Sequence, residues 1–286
     1  MPVGMANQRR SCKYYIVSTS QPPQARNQLA SFFGGTIIGA LGGLVGLGGA
    51  EFRLPLLIRT FRFAALEAVV LNKAMSLVVV ASALPFRAQS VPLSAVAEYW
   101  PVIVNLLSGS LVGAWIGATW AIRLQSDKLY KVIAVMLVAI AAVLLFGHNA
   151  TTIGPPIVGV AKVMIGIAAG FGIGVVASLL GVAGGELLIP TLVLLFSVDI
   201  KLAGSLSLAV SLPTMLVGFA RYSRDQSFAV LGRNQAFLLV MAAGSILGTY
   251  VGGHLLGIVP SAVLLPGLSV ILLISAIKIW RHRQSV

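Results

Sequence analysis

The sequence has few charged residues and very few acids. Charged side chains make up only 9% of the 286 residues, and aspartate and glutamate together number 7, whereas an average soluble domain is about 25% charged. Hydrophobic residues make up 58%, and the mean hydropathy is +0.97. This composition excludes an ordinary soluble protein. It predicts an all-α polytopic membrane protein, because apolar runs long enough to cross about 30 Å of hydrocarbon recur along the chain.

Cysteine and histidine are also scarce. The single cysteine, Cys12, lies in the polar N-terminal tail, so a disulfide framework is excluded and no metal cluster is expected. His148, His254 and His282 fall in predicted loops or in the tail, without metal-ligand spacing and without a nucleophile beside a base. The sequence therefore predicts no enzyme, no metal site and no cofactor.

Basic residues outnumber acids and give a net charge of +13. They fall mainly in the tails and in a few connecting loops, so they predict topology under the positive-inside rule and no nucleic-acid partner. The expected partner is the lipid bilayer, with both termini on the cytoplasmic side. The basic segments are the N-terminal tail, residues 59 to 62, 123 to 131 and 221 to 233, and the C-terminus.

One stretch occurs twice and organises the chain. Residues 46 to 57 read GLGGAEFRLPLL and residues 181 to 192 read GVAGGELLIPTL, at a constant offset of 135 residues (186 minus 51 for the glutamates). Each copy joins a glycine-rich apolar helix to a second apolar segment through glycines, an acid and a proline. Broken backbone at membrane depth is tolerated only where it is buried in protein or lines a wet cavity. The pair therefore predicts a substrate site that is built twice.

The match extends beyond this stretch and predicts an internal duplication. Gly35 matches Gly170, and Ser76 matches Ser211, at the same offset. The predicted organisation is a disordered cytoplasmic tail (1 to 30), a first membrane repeat (31 to 147), an external linker (148 to 156), a second membrane repeat (157 to 280) and a short cytoplasmic tail (281 to 286). The predicted apolar helices are 29 to 45, 66 to 84, 95 to 122, 131 to 146, 157 to 180, 202 to 219, 236 to 256 and 261 to 280.

Charge placement distinguishes two topologies. If each glycine break is only a kink, eight crossings result and the basic loop at 123 to 131 falls outside, against the positive-inside rule. If each break turns the chain back, as a re-entrant hairpin or two short crossings, every basic segment falls inside. The halves then have opposite orientations. We therefore expect an inverted repeat with a re-entrant or discontinuous helix in each half, and Pro55 in the first turn of a short helix.

Two copies of a glycine-rich helix, a G-x-G-G-type turn, a proline and an apolar helix resemble the sulfite exporter TauE/SafE family over roughly residues 31 to 280. The resemblance implies a multi-pass permease of the bacterial cytoplasmic membrane. It would export small anions such as sulfite, organosulfonates or related organic acids, driven by an ion gradient. In many members the position of Ala50 or Gly185 belongs to a run of three glycines, whereas here the first copy has Ala50 and both copies continue with glutamate. The alternative functions are a passive anion channel and an auxiliary membrane subunit. The sequence leaves open whether the chain forms a homodimer.

The glycines around each break predict an anion site made of backbone. A helix start leaves four N–H groups without intrahelical partners and carries partial positive charge, so it binds small anions. The expected site glycines are Gly48, Gly49, Gly184 and Gly185. Other glycines, such as Gly35 and Gly170, are expected to pack helices closely.

Glu51 and Glu186 occupy equivalent positions at apparent membrane depth, where carboxylates are costly and usually functional. Poor hydration favours their protonated form, so we expect them to bind substrate and to couple anion movement to protons. The alternative is a structural cap, in which each glutamate accepts hydrogen bonds from its own short helix.

Four further polar residues recur one helical turn apart. Asn72 and Ser76, and likewise Ser207 and Ser211, are predicted to bind anion oxygens or, alternatively, to join helices. Lys73 is the preferred cation for an anion, ahead of Arg53. Lys73 could instead pair with Glu67 or extend to the membrane interface.

Overall fold

A computed structural model describes residues 28 to 45, 49 to 90, 92 to 146 and 159 to 255, with isolated helical positions between 270 and 280. These residues form helices and no strand. The helices are α1 (Gln28–Val45), α2 (Ala50–Arg59), α3 (Ala65–Ser90), α4 (Leu93–Glu98), α5 (Trp100–Arg123), α6 (Ser126–Phe146), α7 (Gly159–Leu180), α8 (Gly185–Phe196), α9 (Ile200–Tyr222), α10 (Ala229–Arg233) and α11 (Gln235–Leu255), with a 3-10 turn at Gln226–Phe228.

Most predicted helices are confirmed, and one is corrected. The predicted helix at 95 to 122 is two helices, α4 and α5, which are separated at Tyr99. Pro101 lies in the first turn of α5, and its missing N–H cannot continue the hydrogen bonds of α4. The external linker, both tails and most of the helix predicted at 261 to 280 lie outside the described residues.

Within the described ranges, four helices are long and apolar enough to cross a membrane, which supports the prediction of a polytopic membrane protein. The spans are Ala65–Ser82, Trp100–Arg123, Gly159–Leu180 and Leu202–Tyr222. The segments Gln226–Arg233 and Gln235–Val251 make a fifth span if they are counted as one, although they bend by 75° at their junction.

Glycines bring two pairs of helices into backbone contact, α1 with α11 and α5 with α7. A Cβ at Gly39 would overlap the carbonyl oxygen of Ser245, and a Cβ at Gly174 would overlap that of Ser110. These contacts are equivalent at the offset of 135 residues, and three more equivalent pairs accompany them. The prediction that these glycines pack helices is confirmed. The remaining contacts are Gly35 with Met241, Gly244 with Phe32 and Gly248 with Thr36 in one pair, and Gly170 with Leu106, Gly109 with Ile167 and Gly113 with Phe171 in the other.

Gly174→Ala is expected to separate α7 from α5 and to lower stability, because the new Cβ would overlap the Ser110 carbonyl. Overpacking of this kind costs about 1–3 kcal/mol, which thermal unfolding in detergent would detect. Gly172→Ala on the same helix is the control, since a Cβ there meets nothing within 4 Å and alanine favours helix by up to about 1 kcal/mol. Equal melting temperatures for the two variants would contradict this account of the packing.

The two helix breaks fall where the sequence places them, but the short helices begin earlier than predicted. The N-cap residues Gly49 and Gly184 have φ of 69° and 81°, which glycine adopts without strain. α2 and α8 start directly after them. Pro55 is therefore inside α2 and not in its first turn, and the repeated glutamates are part of the short helices instead of preceding them. The left-handed glycine, and not the proline, sets where each helix begins.

Side-chain contacts show which helix ends are neighbours. Lys162 Nζ, near the start of α7, lies 5.3 Å from the ring centroid of Phe196 at the end of α8. At the opposite end of the bundle, Arg233 Nη2 lies 3.1 Å from Glu67 Oε1, joining the start of α3 to the end of α10. Arg123 in the last turn of α5, together with Arg221 and Arg224, which pack on α5 near that turn, lies at this second end with Arg233, and we call it the basic end.

Candidate functional site

The two glutamates of the repeated stretch meet in the interior. Glu51 is in the first turn of α2 and Glu186 is in the first turn of α8, and they are only 2% and 4% exposed. Their carboxyl groups are close enough to act on each other electrostatically. The two copies of the repeated stretch, which are 135 residues apart in sequence, therefore approach each other at their glutamates.

These carboxyl groups have few donors around them. Within the described part of the chain, Oε1 of Glu51 and both carboxyl oxygens of Glu186 receive no hydrogen bond. The N-cap residues Gly49 and Gly184 have no side chain that could form a cap. Capping by the glutamates themselves stays a prediction. Since two carboxylates can only accept hydrogen bonds, a proton shared by the pair would supply the missing donor.

Arg53 places a cation next to this pair. It is fully buried and is among the largest fully buried side chains of the described residues, and its charge is near enough to act on Glu51. Nη1 of Arg53 donates to Ser76 Oγ at 3.4 Å. The sequence ranks Arg53 below Lys73, and both residues have a leucine at the equivalent position in the second half, Leu188 and Leu208. The structure places Arg53, and not Lys73, near Glu51.

Three polar residues of α3 bind the broken end of α7. A helix end leaves its last four carbonyl groups without intrahelical partners, and donors are favourable there. Asn72 Nδ2 donates to the carbonyl of Leu180 at 3.0 Å and also to that of Ala50 at 3.0 Å. The other bonds are from Lys73 Nζ to the Ala177 carbonyl at 3.2 Å and from Ser76 Oγ to the Gly181 carbonyl at 3.4 Å.

A fourth donor completes this set and is not evident from the sequence. Tyr222, at the end of α9, donates its hydroxyl proton to the carbonyl of Ser178 at 2.9 Å and is fully buried. Its place beside a basic loop suggests an ordinary interfacial tyrosine, and no spacing in the sequence links it to α7. Substrate binding by Asn72, Lys73 and Ser76 stays a prediction, while their donors are engaged with α2 and α7.

Both alternatives for Lys73 are wrong. Lys73 is fully buried, so it does not extend to the interface. Glu67 pairs with Arg233 at 3.1 Å and not with Lys73. The reason is that α3 carries Glu67 to the basic end, whereas Lys73 faces the end of α7 inside the bundle.

The equivalent positions of the second half are arranged differently. Ser207 and Ser211 are 3% and 1% exposed, and Ser207 Oγ donates to the carbonyl of Gly204 in its own helix at 2.8 Å. Ser207 therefore does not join helices as Asn72 does. Among the predicted site glycines, Gly49 and Gly184 are N-caps and Gly185 begins α8, while Gly48 lies outside the described residues.

Neither a metal cluster nor the apolar cavity of the described residues competes with the glutamate site. They contain no group of three His, Cys, Asp or Glu side chains that could hold a metal ion. A cavity of about 800 Å³ lies between α6, α7 and α8, but it contains neither glutamate. Its lining is apolar apart from Thr191 and consists of Ala142, Ile165, Ala169, Gly172, Ile173, Leu187, Pro190, Thr191, Leu194 and Leu195.

Comparison with known proteins gives one finding. The family model described as Sulfite exporter TauE/SafE matches residues 31–279, nearly the whole chain. The match includes both helix breaks and every site residue described above. Comparisons with curated proteins and with solved structures gave no significant match.

Proposed function

Because the chain belongs to the sulfite exporter TauE/SafE family of membrane transporters, we propose that it is a proton-coupled secondary transporter of small anions. The proposed substrates are sulfite, organosulfonates or related organic acids, and the proposed direction is export across the bacterial cytoplasmic membrane. The observation that carries the proposal is the burial of Glu51 and Glu186 within electrostatic reach of each other, at the starts of two half-length helices.

We further propose that the transporter consists of two inverted repeats, each with a re-entrant hairpin at its glycine break. The equivalent glycine contacts of the two helix pairs, such as Gly39 with Ser245 and Gly174 with Ser110, support the duplication. The contact between Lys162 and Phe196 supports the hairpin, since it places the end of α8 beside the start of α7. The positive-inside rule then puts the basic end in the cytoplasm.

The glutamate pair explains how protons and an anion could move together. Two buried carboxylates side by side are destabilised by poor hydration and by mutual repulsion, so the pair favours binding of a proton. A fully ionised pair would repel an anion. Proton binding removes that repulsion and leaves the charge of Arg53, together with the positive ends of α2 and α8, to attract the anion.

The same chemistry gives the release step. When the pair loses its proton on the other side of the membrane, its negative charge again competes with the substrate for Arg53. The anion is then released. Anion and proton are therefore carried together away from the more acidic side, so the proton gradient drives export when the cytoplasm is the more acidic side. Anion binding is strongest at acidic pH and weakens as the pH rises.

Flux measurements in proteoliposomes test the proposed function. The purified protein is reconstituted in vesicles, and sulfite, sulfoacetate or a carboxylate control is supplied on one side with and without a pH gradient. We expect saturable movement of a sulfur-containing anion that accelerates when the substrate side is the more acidic. Ionic current that does not respond to the pH gradient would instead identify a passive channel, and no movement of any of these anions would contradict the proposal.

A further inference from the structure

Two arginines at the basic end pack on one tryptophan, away from the glutamate site. The guanidinium carbons of Arg221 and Arg224 lie 5.7 and 5.4 Å from the ring centroid of Trp115. Arg221 Nε also donates to Thr119 Oγ1 at 2.9 Å, one turn along α5 from Trp115. The end of α9 therefore holds two guanidinium groups against α5.

These two charges are not neutralised by ion pairs. Across the described ranges, the salt bridge that forms joins Arg233 to Glu67, and neither Arg221 nor Arg224 makes one. The neighbouring acid, Asp225, accepts a hydrogen bond from the backbone N–H of Ser227 at 2.9 Å and serves as the N-cap of the 3-10 turn. Arg123, exposed at the end of α5, adds a further positive charge at the same end.

The surface beside the two arginines has the character of a lipid-facing interface. Along the outer face of α5, Val112 is 54% exposed, Ile116 39% and Trp120 58%. Apolar side chains exposed in this way on a membrane span face acyl chains, and tryptophan prefers the depth of the headgroups. Trp115 itself is 39% exposed, so its ring and the two guanidinium groups can be reached from the bilayer.

We propose that Arg221, Arg224 and Trp115 form a binding site for the phosphate of an anionic membrane lipid. Guanidinium groups offer planar donors that match phosphate oxygens in pairs. The bond from Nε of Arg221 to Thr119 leaves its two terminal nitrogens for the phosphate. Basic pockets between membrane helices bind such headgroups.

A lipid fits this surface better than a free phosphate ion does. The phosphate group would contact the arginines, and the acyl chains would lie along the exposed apolar face of α5. Inorganic phosphate would make only the first of these contacts. The site is independent of the proposed transport reaction, because its residues are at the basic end and do not contact the glutamate pair.

Native mass spectrometry of the full-length protein in a neutral detergent tests the proposal. The delipidated protein is titrated with phosphatidylglycerol, with phosphatidylcholine and, separately, with inorganic phosphate. We expect phosphatidylglycerol to bind more tightly than phosphatidylcholine. Each basic residue near an anionic headgroup contributes about a fivefold gain in affinity, so Arg224→Gln is expected to weaken binding about fivefold and Arg221→Gln/Arg224→Gln about 25-fold.

Lys128→Gln is the matched control for Arg224→Gln, since it removes one exposed positive charge from the same end of the bundle. It is expected to change the affinity less than twofold. Trp115→Leu keeps both charges but removes the stacking surface, and it is expected to weaken binding several-fold, which keeps the proposal testable if the double variant does not fold.

Three results would overturn the proposal. An equal loss of affinity for phosphatidylglycerol in Lys128→Gln and Arg224→Gln would show that the overall positive charge attracts the lipid and that no specific site exists. If phosphatidylcholine bound as tightly as phosphatidylglycerol, the headgroup charge would have no role in binding. Competition by inorganic phosphate at the same concentration as the lipid would identify a site for a free anion.

Discussion

Replacing both Glu51 and Glu186 with glutamine is expected to abolish accumulation of the anion against its gradient. For one proton moved with each anion, a gradient of one pH unit supplies about 1.4 kcal/mol and supports about tenfold accumulation. Glutamine is close to glutamic acid in size but carries no exchangeable charge. The accumulation ratio of the anion should therefore fall to about one in the double variant, which should still allow the anion to move down its own gradient.

The pH profile gives a second readout of the same variant. In the natural protein, binding of the anion should be strong at low pH and should weaken as the pH rises, because deprotonation of the buried pair restores negative charge beside the substrate. Glutamine stays neutral at every pH, so binding to the variant should be nearly independent of pH. Glu51→Gln alone tests whether one acid is sufficient.

Glu98→Gln is the control for this experiment. Glu98 ends α4 and is exposed, so its replacement removes one acid without touching the glutamate pair. It is expected to keep both the accumulation ratio and the pH profile. Unchanged accumulation in the variant that lacks both Glu51 and Glu186 would show that protons are carried elsewhere, and the glutamates would then be structural.

Much of the fold could be predicted because hydrophobicity and glycine spacing are local properties of the sequence. The apolar runs identify the helices, and glycines at four-residue intervals identify the faces that pack closely. The start of each short helix could not be placed as well. Proline is the more familiar signal for a first helical turn, but the left-handed backbone of Gly49 and Gly184 begins the helix several residues before Pro55 and Pro190.

The candidate site could be predicted only in part. The constant offset singles out Glu51 and Glu186, and the structure places both carboxyl groups in the interior. The hydrogen-bond partners of the α3 side chains could not be predicted, because Asn72 and Lys73 donate to backbone carbonyl groups 108 and 104 residues away. Backbone acceptors leave no pattern in a sequence, so the sequence shows that these side chains are polar and buried but not what they bind.

Arg53 and Lys73 offer the clearest comparison, because both are fully buried cations and only Arg53 lies beside the glutamate pair. Arg53→Met is expected to weaken anion binding about a hundredfold, since removing one partner of a buried, hydrogen-bonded charge pair costs about 2–5 kcal/mol. Isothermal titration with sulfite at acidic pH would measure the change in affinity.

Lys73→Met should act on stability instead. The substitution removes the bond from Lys73 to the carbonyl of Ala177, which still accepts the backbone N–H of Val182 at 2.9 Å. Loss of one such hydrogen bond costs about 0.5–1.5 kcal/mol and should lower the melting temperature. Anion affinity is expected to stay within about threefold, because methionine fills the same space and the bond that is lost belongs to the end of α7. The opposite outcome, in which Lys73→Met loses the anion and Arg53→Met retains it, would make Lys73 the substrate cation and would place the anion between α3 and α7 instead of at the glutamate pair.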